Sequence, residues 1–239
     1  MRTSAFFSVL ALAFAAAPAH ATLQLSIGAN GSTFTCADGQ LSCDQSGGTN
    51  NLLTIDTTVG GAFVQLTLAT SQFGNPNLLT LSSSNIENLS GAPISVTLLA
   101  SDNGFTAPVS FITESSSLTF NDAVGSPASF ERFWADTANV QGANPSNTPG
   151  ALLFTATGTP TQNPDSFDGT NVSAFLASAP FSMTEGAQLN LITGGSVTGF
   201  SQNMQSGVPE PSTWAMLIIG FAGLAWAGLR RRKSARFAL

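Results

Sequence analysis

The chain has 239 residues, 43% of them hydrophobic and only 8% charged, with one His and no Tyr. Soluble domains carry roughly a quarter charged residues. Here Ser, Thr, Asn and Gln fill the deficit with 29, 26, 16 and 10 residues. That apolar content excludes a disordered acidic tail. Seven Lys and Arg against thirteen Asp and Glu exclude a nucleic-acid binder, which needs clustered cations.

Residues 1–21 carry the three parts of a secretory signal peptide. Arg2 is the positive end, Ala5 to Ala17 the apolar run, and Ala19-His20-Ala21 a small-x-small site cut between Ala21 and Thr22. The apolar run is too short to cross a bilayer core of ~30 Å as a permanent helix. Signal peptidase and the Sec translocon are the partners this implies. Cleavage removes the one His, so the mature chain has none.

Residues 22–203 are expected to form one extracytoplasmic domain, followed by a linker over 204–208. Between residues 22 and 208 there are twelve acids and one base, Arg132. Period-2 alternation recurs, as in Ala62, Val64, Leu66 and Leu68 against Gln65 and Thr67, or Ile94, Val96, Leu98 and Ala100 against Ser95 and Thr97. Further strands are expected within 22–27, 53–59, 78–82, 109–120, 129–135, 151–157, 172–176, 181–184, 188–193 and 196–201. Turns such as Asp102-Asn103-Gly104 and Gly194-Gly195 punctuate them. The pattern is all-β, an antiparallel β-sandwich of jelly-roll or Ig-like kind, with a signal peptide before it and a single transmembrane helix after it. The Pro-bearing stretches 140–150 and 158–170 read as long, mobile loops.

Cys36 and Cys43 are the only cysteines. Outside the cytoplasm such a pair is most simply a disulfide closing a short loop. A zinc site would need further Cys or His ligands, so no metal and no cofactor are expected. Enzyme chemistry lacks its usual parts: no His for a Ser-His or Cys-His pair, no Lys in the domain and no Gly-x-Ser-x-Gly elbow. A two-carboxylate glycosidase is the one enzymatic alternative, against the expectation that the twelve acids are solvated. The acid-bearing turns at 102–104 and 165–169 are expected as surface turns, lacking full calcium-loop spacing. Phe130-Glu131-Arg132-Phe133-Trp134-Ala135-Asp136 is the densest mixed cluster. Glu131, Arg132, Trp134 and Asp136 there are candidates for stacking and hydrogen-bonding a sugar, unless the alternating rings are core and Arg132 pairs an adjacent acid.

The far end reads differently. Val208-Pro209-Glu210-Pro211 precedes sixteen uncharged residues, Trp214 to Leu229, within an expected transmembrane helix over 213–229. Sixteen helical residues extend about 24 Å. Arg230, Arg231, Arg232 and Lys233 open a basic tail over 230–239 that fixes this side as cytoplasmic.

Pro-Glu-Pro, then Ser-Thr-Trp-Ala, a short Gly-rich apolar helix and an Arg cluster resemble the PEP-CTERM sorting signal, in the variant that continues into Trp-Ala. The resemblance covers residues 209–239. It implies recognition by an exosortase through Pro209, Glu210 and Pro211, supported by Trp214 and the Arg cluster. It further implies a Gram-negative bacterium, transient anchoring in the inner membrane, and a final place at the cell surface or in the extracellular matrix, commonly beside exopolysaccharide in biofilm. Similar tails occur on some proteins labelled ice-binding, but the tail itself is a sorting tag. The expected function is therefore a non-enzymatic exported surface or matrix protein. The alternative is a glycan- or ice-binding adhesin using Ser/Thr-rich faces.

Overall fold

A computed structural model of the chain describes residues 22–47, 49–74, 76–142, 148–208 and 218–222. The signal peptide and the motif residues 209–217 lie outside the described residues, as do 223–239. Twelve strands follow in order: β1 (Gln24–Ala29), β2 (Ser32–Ala37), β3 (Leu52–Val59), β4 (Ala62–Gln72), β5 (Leu78–Asn88), β6 (Ile94–Phe105), β7 (Val109–Asn121), β8 (Ser129–Asp136), β9 (Ala151–Gly158), β10 (Asp165–Ala177), β11 (Phe181–Leu191) and β12 (Ser196–Gly207). They form two antiparallel six-stranded sheets, β2-β1-β6-β11-β8-β9 and β10-β7-β12-β5-β4-β3, called here sheet A and sheet B. The all-β sandwich expected from the alternation is what the chain folds into.

Alternation sets which face is buried. In β8 every second residue, Ser129, Glu131, Phe133 and Ala135, is buried, and the residues between are half-buried on the outer face. The inner faces bring together Leu25, Ile27, Val96, Leu98 and Phe133 of sheet A with Leu79, Leu81, Phe120, Val197 and Met204 of sheet B. Strands joined by two-residue turns explain much of the pairing. Asn30 and Gly31 at φ of 47° and 75° connect β1 to β2, the positive-φ pair that matches the twist of a tight hairpin.

Four expectations change. Residues 204–207 are not a linker but the end of β12, where Met204 and Ser206 are fully buried. Residues 165–170 are not loop but the first half of β10, and β11 runs unbroken where Glu185 and Gly186 suggested a gap. Of the expected loop 140–150, residues 140–142 are pinned rather than loose, while 143–147 lie outside the described residues. Gln141 Nε2 donates to the carbonyls of Thr22 (2.9 Å) and Ser101 (2.6 Å), and the Gly142 N–H donates to Ser101 Oγ. These bonds fold the segment over the outer face of sheet A.

The disulfide forms as expected: Cys36 at the end of β2 bonds Cys43, with Cα atoms 6.0 Å apart. Closing an eight-residue loop contributes roughly 2.5 kcal/mol in the chain-entropy picture. Within and beside that loop, Asp44 accepts the N–H groups of Gly39 and Ser46, and Asp38 that of Asn51.

Candidate functional site

The cluster on β8 divides by strand parity. Arg132 and Trp134 point to the outer face of sheet A, whereas Glu131 points between the sheets and is 4% exposed. Glu131 therefore cannot touch a ligand on that face, which corrects its place among the sugar-contact candidates. Asp136 sits at the strand end, where its carboxylate accepts the N–H groups of Ala138 and Val140 and caps the turn. Among the described residues no ion pair holds Arg132; its guanidinium lies 5.2 Å from the centre of the Phe130 ring.

What remains on the face is a trough across sheet A. One hollow is lined by Thr97, Leu99, Arg132, Trp134, Gly186 and Gln188. A second, of about 270 Å³, is lined by Gln24, Ser26, Thr35, Gln40, Leu99 and Gly142. The two meet at Leu99. Glycine makes the first hollow possible. A Cβ on Gly186 would stand 2.8 Å from Leu99 Cδ1 and 3.1 Å from the Trp134 ring, so any larger residue would push the indole up. The sequence signal for Trp134 and Arg132 was their spacing. Thr97, Gln188 and Gly186 come from other strands, and only the sheet order brings them there.

The outer face of sheet B carries small polar groups in transverse rows. Register places Ser166, Thr119 and Thr198 side by side, and likewise Thr170, Ser115, Asn203 and Thr80. Thr119 and Ser166 hydroxyls lie 2.9 Å apart, and Asn203 Nδ2 donates to Thr80 Oγ1 at 3.0 Å. These rows are partly satisfied by one another.

Five carboxylic acids are buried, against the expectation of solvated acids: Asp44, Asp102, Glu114, Glu131 and Glu185. Asp102 and Asp165 also lie within strands rather than surface turns. Burial pushes Asp102 up to about 6, against the hydrogen bonds from Ser71 and the Asn103 N–H. Burial likewise raises Glu114 and takes Glu131 to about 7. Glu185 is driven well above the carboxylate range by burial, with the charge of Glu131 adding to it. The two stand on adjacent strands, since Ala187, two residues beyond Glu185, pairs with Glu131. Across from them on sheet B, Ser116 pairs with Gln202, whose Nε2 donates to the Gly186 carbonyl at 3.0 Å. Both oxygens of Glu185, one each of Glu114, Glu131 and Gln202, and Ser116 Oγ lack a hydrogen-bond partner. Among the described residues no group of three or more His, Cys, Asp or Glu is placed to hold a metal.

The chain enters and leaves the sandwich at one end. Gln24 pairs with Ser101 near the end of β6, and Gly207 pairs with Phe111 near the start of β7, next to the short β6–β7 connection. The sorting segment thus begins where β12 stops. Of the expected helix over 213–229 only 218–222 are described, and these are helical and exposed. Among the described residues no helix is long and apolar enough to cross a membrane.

Comparison with solved structures gives remote likenesses of fold alone. A structure of the Gx strain of infectious bursal disease virus matches at 12% identity and a TM-score of 0.36, covering 87% of this chain and 54% of that one. This chain thus spans about half that relative's length. Carbohydrate-binding modules of the β-sandwich superfamily match at 13% identity and a TM-score of 0.28, covering 77% of this chain and 83% of theirs. Isomalto-dextranase of Arthrobacter globiformis T6, complexed with panose, matches at 12% identity and 0.26, over 60% of this chain and 23% of that one. No curated protein matches the chain. One family model does match, over residues 207–233. That segment matches the PEP-CTERM protein-sorting motif, a signal for export and sorting to the cell surface.

Proposed function

We propose that the sandwich is the cargo: a non-enzymatic surface or matrix protein, delivered by its tail and left outside the cell once an exosortase has cut it. The observation that carries this is the fusion of the matched motif, residues 207–233, directly to the last residue of β12. The inner membrane holds the chain only until that cut, and exopolysaccharide is the material it would join. In a host lacking an exosortase, the full-length chain is expected to accumulate in the inner-membrane fraction. Release from such a host would count against the reading.

A second reading rests on the trough of sheet A. An indole beside a guanidinium, with the amide of Gln188 in the same hollow and those of Gln24 and Gln40 in the hollow on the other side of Leu99, offers a stacking plane and hydrogen-bonding groups for a neutral sugar chain. Twelve acids against one base disfavour a polyanionic glycan. Retardation of the exported protein in gels containing a neutral glucan, lost at least tenfold in Trp134→Ala, is the expected result. Equal migration of both proteins in neutral-glucan and polyuronate gels would exclude this use of the trough.

A further inference from the structure

The two sides of the sandwich are finished differently. On one side β2 is six residues long and tied at its end by the disulfide. Its neighbour β3 is covered by the 38–51 segment, whose Gln45 N–H donates to the Thr54 carbonyl at 2.9 Å. On the other side the edges are β9 and β10, and among the described residues each has one strand neighbour only. A long edge strand offers a row of unpaired N–H and C=O groups, which proteins usually blunt with Lys, Pro or a short length. β10 has thirteen residues with no Lys, Arg or Pro among them, and its irregularity against β7, between Ala174 and Ala177, lies near its end and leaves Asp165 to Ala174 in regular register. Its outward face ends in exposed apolar groups, Val172 at 65% and Leu176 at 77%.

The residue order of β10 says what would pair with it. Turned antiparallel on itself about Asn171, the strand places Asp168 opposite Ala174 and Thr170 opposite Val172 of a second copy, and the bulge between Ala174 and Ala177 falls beyond this central stretch. Its two acids both lie in the first four residues, so no acid meets an acid. Like charges directly opposite one another would oppose such pairing. The exposed methyls of Val172 would pack against the Thr170 methyl group across the join.

We propose that two copies of this chain associate through β10, antiparallel about a twofold axis at Asn171, so that their B sheets become one continuous sheet. A twofold join of this kind is closed and self-complementary, and the main chain supplies the hydrogen bonds. It goes beyond the sorting reading and does not depend on it, because the strand is formed whether or not the tail is cut.

The test is sedimentation velocity of the full chain in a mild detergent, at tens of micromolar protein. The wild type is expected at twice the chain mass. Thr170→Lys with Val172→Lys puts like charges opposite each other on both sides of the axis, and is expected to sediment as a monomer. Thr170→Glu with Val172→Lys puts opposite charges there instead, and is expected to restore the dimer. Both positions are exposed, and the circular dichroism of each variant confirms folding. A monomeric wild type would overturn the proposal. So would a dimer that survives the double-Lys change, since association would then come from the tail or another surface. Failure of the Glu/Lys variant to restore the dimer would overturn the register.

Discussion

Glu185→Leu is expected to raise the thermal midpoint of the sandwich, and to raise it more at pH 8 than at pH 5. Glu185 is 0% exposed on β11, and neither of its oxygens has a hydrogen-bond partner. The titratable groups beside it on the inner face of sheet A are Glu131 of β8 and Asp102 of β6, which pairs with Met183, both acids; Arg132 is on the opposite face of that sheet. With no cation inside, burial favours the protonated form of every member. The sign follows from linkage. In the unfolded chain Glu131 and Glu185 lose their protons near pH 4.5, whereas in the folded chain Glu131 holds its own to about 7 and burial also raises Glu185. The folded state therefore binds more protons, its stability is fully present below about 4.5, and it is lost as pH rises through 7. An unsatisfied buried polar group costs about 1–3 kcal/mol, so the Leu variant should melt about 5 °C above the wild type at pH 8. The check is thermal unfolding by circular dichroism at both values. A Leu variant that melts below the wild type at pH 8, or keeps the same pH slope, would contradict this account of the interior.

Pro209→Ala with Glu210→Ala is expected to leave most of the chain uncut and in the inner membrane. Proline lacks the N–H that a helix needs and disfavours helix in the residue before it, and the motif pairs two prolines with one carboxylate. β12 is bonded to β5 on one side and β7 on the other almost to its last residue. Recognition must therefore happen on the few residues after Gly207, because no slack can be drawn from the sheet. The double change removes one helix-disfavouring residue and the charge of the motif. Immunoblots of membrane and released fractions measure the outcome. Release equal to the wild type would mean that the exosortase does not read these residues.

The sandwich was legible because its strands alternate with period 2 against Ser and Thr, and that period is local. The disulfide was legible because only two cysteines exist outside the cytoplasm. What was missed depends on partners far away in sequence. Residues 165–170 contain Asp165, Asp168 and Gly169, which mark turns in isolation, yet pairing with Phe120 through Ser115 of β7 makes them strand. Glu185 and Gly186 look like a break in β11, but two neighbouring strands, β6 and β8, pair with that strand through the gap. Glu131 was expected beside Arg132 and Trp134; parity in the strand sends it inward instead. The trough could be seen only in part, since Gly186 and Gln188 join Trp134 through sheet order alone. The sorting motif was the reverse case: it is linear, its residues are contiguous, and sequence suffices.

The central claim is that this sandwich is exported and then separated from its tail. Intact mass of the protein released from cells, with both termini sequenced, tests it most directly. The expected species begins at Thr22 and lacks Trp214 to Leu239. A released protein that still carries Trp214 and the Arg230–Lys233 cluster would contradict the account.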